Sequence, residues 1–211
     1  MQIESVNIGK AQQFDGPNFK GRTGIFKTPA AEPVRVGELG LEGDDIIHEE
    51  HHGGPDQAVY LYRQEDYDWW SGTLGHTVAA GTFGENLTLS GLPDPDMAIG
   101  TRLCFDQVIL EVSAPRIPCN ILAQRMGSPK FAKQFVQAER PGLYCRVVKT
   151  GLISAGETFR IDATQASDVS IVEVFRADSR KLMRDELERF LAAPIDIRTR
   201  TKWEQALAKT G

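Results

Sequence analysis

The sequence predicts a mainly β domain, a barrel or sandwich, followed by a small helical tail. Three observations carry this. Short runs rich in Val, Ile, Tyr and Phe recur up to about residue 162, each bounded by Gly or Pro. Many short strands at that spacing suit a barrel or a sandwich. After Ala163 the texture changes, and from Asp178 onward helix formers dominate. The chain has 211 residues, 41% hydrophobic and 25% charged, enough for one good core plus an appendage. We therefore expect a β domain over 1–163 and a three-helix appendage over 164–211.

The elements follow in order. Gln2-Ile3-Glu4-Ser5-Val6 is a short alternating segment with no basic lead and no long apolar stretch, so it does not read as a signal peptide. Lys27 ends the strand-like run Thr23-Gly24-Ile25-Phe26. The clearest strands are 58–62, 86–89, 103–105, 108–112, 145–148 and 158–161. Between them 64–71, with Tyr67, Trp69 and Trp70, reads as a helix laid on the β domain. A helix is expected to begin right at Cys119 and run through Ile121, Leu122 and Met126. Ser128-Pro129 is a helix start, with Ser as cap and Pro at the first helical position, and Phe131, Phe135 and Val136 are expected on one face. The stretch 169–175 is β-branched and ambiguous. In the tail Met183, Leu187, Phe190 and Leu191 form an apolar stripe that Pro194 ends, and Trp203 and Leu207 repeat the pattern. Such stripes suit core, or contact between two copies of the chain.

Composition narrows the function. The formal net charge is −5, without the clustered basic residues of a nucleic-acid surface. No stretch approaches the ~20 apolar residues of a membrane span. Three cysteines at scattered spacing oppose a disulfide framework and fit a reducing cytoplasm. Cys104 and Cys145 lie inside strand-like runs and read as small buried hydrophobes.

Cys119 is different. It sits in Ser113-Ala114-Pro115-Arg116-Ile117-Pro118-Cys119-Asn120, just past a strand, with prolines stiffening its approach. A cation such as Arg116 favours a neighbouring thiolate, which is both a nucleophile and a soft metal ligand. His48-Glu49-Glu50-His51-His52 carries the letters of a zinc-protease motif, but Gly43 and Gly53-Gly54-Pro55 leave little room for the helix that chemistry needs. A plain polar loop is the simple alternative, and a loop feeding His52 and two glycines into an anion pocket is the better reading, because bare backbone N–H groups bind phosphate. Gly84-Glu85-Asn86 is a second such corner. The glycines at 37, 40 and 43 match neither the Rossmann nor the P-loop spacing, and no cysteine pair has iron–sulfur spacing. Redox work would need electrons from elsewhere.

Taken together the segments resemble the MOSC domain, named for the C-terminal domain of molybdenum cofactor sulfurases. The resemblance rests on Thr23-Gly24-Ile25-Phe26-Lys27-Thr28-Pro29 followed by Leu39-Gly40-Leu41-Glu42-Gly43-Asp44. It rests further on His52-Gly53-Gly54-Pro55-Asp56-Gln57-Ala58-Val59, on Gly81-Thr82-Phe83-Gly84-Glu85-Asn86-Leu87, and on Pro115-Arg116-Ile117-Pro118-Cys119. The helical tail is similar to that of the stand-alone bacterial branch typified by 6-hydroxylaminopurine reductase. After Asp44 the chain departs from the family's polar continuation and reads Asp45-Ile46-Ile47-His48.

The resemblance implies a MOSC-type β-barrel holding a pyranopterin molybdenum cofactor, with Cys119 as the sulfur ligand to molybdenum. It implies that Lys27, His52, Asn86 and Arg116 hold the pterin and phosphate, with Asp44, Gln57 and Glu85 beside them. The expected activity is reduction of N-hydroxylated bases or related hydroxylamines to amines, with electrons from a separate flavoprotein or similar reductase. The alternatives are a carrier of the cofactor, or of sulfur on Cys119, and a hydrolase using His48 and His52 with zinc or Cys119 with His52.

Overall fold

The computed structural model describes residues 1–47, 52–92 and 96–209. The strands and helices in chain order are β1 (Gln2–Gly9), β2 (Gln12–Asp15), β3 (Lys20–Thr23), β4 (Lys27–Pro29), β5 (Val34–Gly37), β6 (Gly40–Leu41), β7 (Val59–Arg63), α1 (Gln64–Leu74), β8 (Leu87–Ser90), β9 (Arg102–Cys104) and β10 (Ile109–Pro115). There follow α2 (Asn120–Arg125), α3 (Phe131–Ala138), β11 (Leu143–Lys149), β12 (Gly151–Ile153), β13 (Arg160–Asp162), α4 (Ile171–Asp178), α5 (Arg184–Ala192) and α6 (Ile197–Ala208).

Eight strands form one mixed sheet in the order β13-β9-β10-β11-β7-β8-β1-β4. Its single parallel pair is β7 with β8. Parallel neighbours need a crossover, and α1 supplies it. The mainly β architecture agrees with the sequence, but the strand pairings among the described residues do not close a ring. The start of β1 instead bonds back to the turn before β13, Ile3 N–H donating to the Glu157 carbonyl at 2.9 Å.

Two cores flank the sheet. One is aliphatic and joins Leu61, Leu103 and Leu110 to Val174, Leu187, Phe190 and Trp203 of the C-terminal helices. The other is aromatic, with Tyr62, Tyr67, Trp70, Phe83, Phe131 and Phe135 packed together. The Trp70 indole N–H donates to the Tyr62 hydroxyl at 2.8 Å, so the polar edge of the ring is satisfied although the ring is buried. Burial of each such ring is worth roughly 2–3 kcal/mol.

The helices correct several expectations. α3 begins at Phe131, because the Ser128 carbonyl accepts from Phe131 N–H and no side chain caps the helix. Phe131 and Phe135 are buried, but Val136 faces solvent. Met183 is exposed as well, since it precedes the first turn of α5. Cys145 is buried, and burial pushes its thiol up; Cys104 is only partly buried on β9. The ambiguous stretch becomes α4. A capping box decides it: Ser170 Oγ accepts from Glu173 N–H at 3.2 Å, and Glu173 accepts from Ser170 N–H at 2.9 Å. Removing the cap oxygen in Ser170→Ala should cost about 1 kcal/mol and lower the thermal midpoint by about 2–4 °C, read by circular dichroism melting.

Candidate functional site

A cleft of about 600 Å³, counted to its open mouth, lies where the 23–27 segment, the glycine corners at 53 and 84 and the end of β10 meet. Of the eight residues singled out from the sequence, Lys27, His52, Gln57, Asn86, Arg116 and Cys119 line it. Asp44 and Glu85 stand behind its wall.

Cys119 is partly buried at the start of α2, in extended backbone, and its side chain makes no capping bond. Three residues earlier, just past the end of β10, Arg116 is almost fully buried. Its guanidinium donates to the Phe83 carbonyl at 2.8 Å, lies 3.9 Å from Cys119 Sγ, and sits 5.1 Å over the Tyr60 ring. Burial opposes its charge, but Tyr144, Tyr60 and Cys119 outweigh burial and raise its pKa, so it stays protonated. Its Nε is buried with no hydrogen-bond partner.

Lys27 is the first residue of β4. Its side chain is 9% exposed and its ammonium is paired with Asp44. Burial pushes that ammonium down, and Asp44 pulls it back. The second oxygen of Asp44 accepts from Gly9 N–H at 2.8 Å. The Asn86 amide donates to Asp44 at 2.9 Å and accepts from Tyr60 N–H at 3.1 Å. Asp44 thus aims two residues of the cleft without reaching it. Glu85 does similar work one layer deeper. Fully buried, it accepts from Gly81 N–H at 2.5 Å and from the Tyr67 and Thr88 hydroxyls at 2.8 Å each, which fixes the corner carrying Gly84 and Asn86. Burial raises its carboxyl above the usual range.

The other wall joins the C-terminal helices. His52 Nδ1 lies 3.3 Å from the Tyr144 hydroxyl, and burial holds that hydroxyl above the ordinary tyrosine value. Gln57 accepts from Arg198 at 3.0 Å and donates to Asp196 at 3.3 Å. Arg198 also donates to the Gly53 carbonyl at 3.0 Å, so the first turn of α6 holds the His52-Gly53 corner.

Tyr60 and Tyr144 were not among the residues singled out. They are register partners on β7 and β11, with rings 4.9 Å apart. Strand alternation could have put each on a face, but only pairing brings both beside Arg116. His48 and the rest of the zinc-protease letters before His52 lie outside the described residues. Among the described residues no group of three or more His, Cys, Asp and Glu could hold a metal ion.

The residues fit the cofactor that the resemblance implies. A sulfur donor, the side chain of a buried cation and bare backbone line one space. At Gly84 (φ 78°) a Cβ would come 3.0 Å from Ile25, and at Gly53 (φ 76°) 3.0 Å from Ile46. Each therefore keeps both its left-handed backbone and the room beside it only as glycine.

Comparison with known proteins gives the family. The MOSC domain pattern matches residues 48–160. The uncharacterized protein YflK of Bacillus subtilis is 34% identical over 169 residues, covering 80% of this chain and 76% of the relative. The crystal structure of YiiM from Geobacillus stearothermophilus superimposes with a TM-score of 0.80 at 28% identity, covering 98% of both chains. A Gibberella moniliformis protein named reductase is 33% identical over 141 residues, which span 65% of this chain and 25% of that protein.

Proposed function

We propose that this chain, which belongs to the MOSC domain family, is a molybdenum-cofactor-dependent reductase of N-hydroxylated bases or related hydroxylamines. The single observation that carries the reading is Cys119 Sγ lining a cleft 3.9 Å from a buried guanidinium that has an unused N–H. The fungal relative's name points the same way.

In this reading Cys119 is the sulfur ligand, a soft donor for a soft redox metal. Arg116 and Lys27 offer N–H groups to the anionic pterin phosphate, and Gly53 and Gly84 let the cofactor approach the backbone. When bound, the cofactor supplies the two electrons that cleave the N–O bond. The hydroxylamine gains two electrons and two protons and leaves as amine and water. The Tyr144 hydroxyl, kept protonated by burial, hydrogen-bonds and orients the substrate at the wall beside His52, and the two protons come from solvent. The electrons come from a separate flavoprotein or similar reductase that docks on the chain.

The test is direct. Gently purified protein should carry about one molybdopterin and one molybdenum per chain by mass spectrometry and elemental analysis. With a flavin reductase and NADH it should convert 6-hydroxylaminopurine to adenine. Cofactor that leaves readily for an apo-enzyme, with no turnover on hydroxylamines, would make the chain a carrier instead.

A further inference from the structure

We propose that a second cleft, between the sheet and α6, is the chamber for the substrate's base, and that Asp196 selects a planar nitrogen heterocycle presenting an N–H donor. The proposal rests on the reductase reading and adds the residue that reads the substrate. This cleft measures about 860 Å³ to its open mouth and shares His52, Gln57 and Tyr144 with the first. A molecule seated in it therefore lies against the same wall as the cofactor cleft. Ile117, which is exposed, gives it apolar surface against which a flat ring can lie.

Asp196 also lines it and is 1% exposed. One carboxylate oxygen is fully used: it accepts from Arg198 N–H at 3.1 Å, Thr199 N–H at 3.2 Å and the Gln57 amide at 3.3 Å. The other, Oδ2, is buried without a hydrogen-bond partner. Capping α6 needs one acceptor, which Asn or Ser provides as well as Asp. The second oxygen is surplus to the cap, and a buried acceptor left empty is costly. A ring N–H or exocyclic amine of a purine supplies the missing donor in a charge-assisted bond. The nearby cations are already engaged, Lys202 with Asp178 at 2.6 Å and Arg198 with Gly53 and Gln57. The chamber offers an acceptor, which favours a neutral base over an anion.

Asp196→Asn tests this, because it keeps the cap and replaces the idle acceptor with a donor. Calorimetric titration with adenine should show binding that weakens about tenfold or more in the variant, the loss of one hydrogen bond to a charged group. A purine methylated at N9 and twice on the exocyclic nitrogen, which has no N–H, should bind both proteins equally. In the cofactor-loaded protein, KM for 6-hydroxylaminopurine should rise by a similar factor with kcat little changed. An unchanged melting midpoint would confirm the cap. Adenine binding that is equal in the two proteins, or absent from the natural chain, would overturn the assignment. Binding through Asp196 without any turnover would leave the chamber standing and sink the reductase reading.

Discussion

Cys119→Ala should abolish reduction of 6-hydroxylaminopurine while leaving the fold intact. The sulfur makes no capping bond and is only partly buried, so the fold should lose less than ~1 kcal/mol without it. A lost metal ligand acts on chemistry instead. Turnover should fall by on the order of a thousandfold or more, because the redox step has no substitute in the side chains. Cys119→Ser is the sharper variant. It keeps the shape and exchanges a soft donor for a hard one, which suits molybdenum poorly. Three readings check it together: molybdenum per chain, turnover with a flavin reductase, and the thermal midpoint. Equal turnover in the natural protein and Cys119→Ala would end the molybdenum reading, since no other residue of the cleft supplies thiolate sulfur.

Glu85→Ala should be the most destabilising single change near the site. It strands the Gly81 N–H and the Tyr67 and Thr88 hydroxyls in a closed interior. Leaving each of those buried donors unsatisfied costs roughly 1–3 kcal/mol, against a total stability of about 5–15 kcal/mol. At ~2–4 °C per kcal/mol for a chain of this size, the midpoint should drop by about 10 °C or more. Glu85→Gln keeps an acceptor and should lose much less. It also carries a pH signature. Burial raises the folded-state carboxyl above the ordinary glutamate value. Between those two values the folded chain holds the extra proton. The stability that this extra proton contributes is therefore whole below the ordinary value and is lost as pH rises through the raised one. Glu85→Gln should remove that loss, flattening denaturant midpoints measured from pH 4 upward. A parallel pair of pH curves would show that Glu85 does not titrate in this way.

Legibility varied for physical reasons. The aromatic residues of 64–71 marked α1, and the helix buries Tyr67 and Trp70 while Trp69 stays exposed. The β-branched stretch that became α4 stayed ambiguous on composition, although Ser170 and Glu173 already carried the cap signal. Val136 was assigned to the wrong face because apolar character alone cannot say which side of α3 meets the aromatic core. At the site, residue chemistry marked Cys119, Arg116 and the two glycine corners, whose demands are local. Asp44 and Glu85 carry charge, and charge in sequence does not reveal direction; folding turned both away from the cleft, toward donors of Gly9, Lys27, Tyr67 and Thr88.

By itself, then, the order of residues determined the mainly β architecture, the family resemblance and the stiff proline-flanked cysteine, because strand alternation, glycine corners and proline restraint act over a few residues. The three-dimensional structure alone decided that Tyr60 and Tyr144 meet across β7 and β11, that Arg116 is buried with one N–H idle, and that Gln57 and Asp196 join the α6 turn to the glycine corner. Those contacts link residues 84 to 139 positions apart, and only the packing of strand pairs and helices fixes such distances.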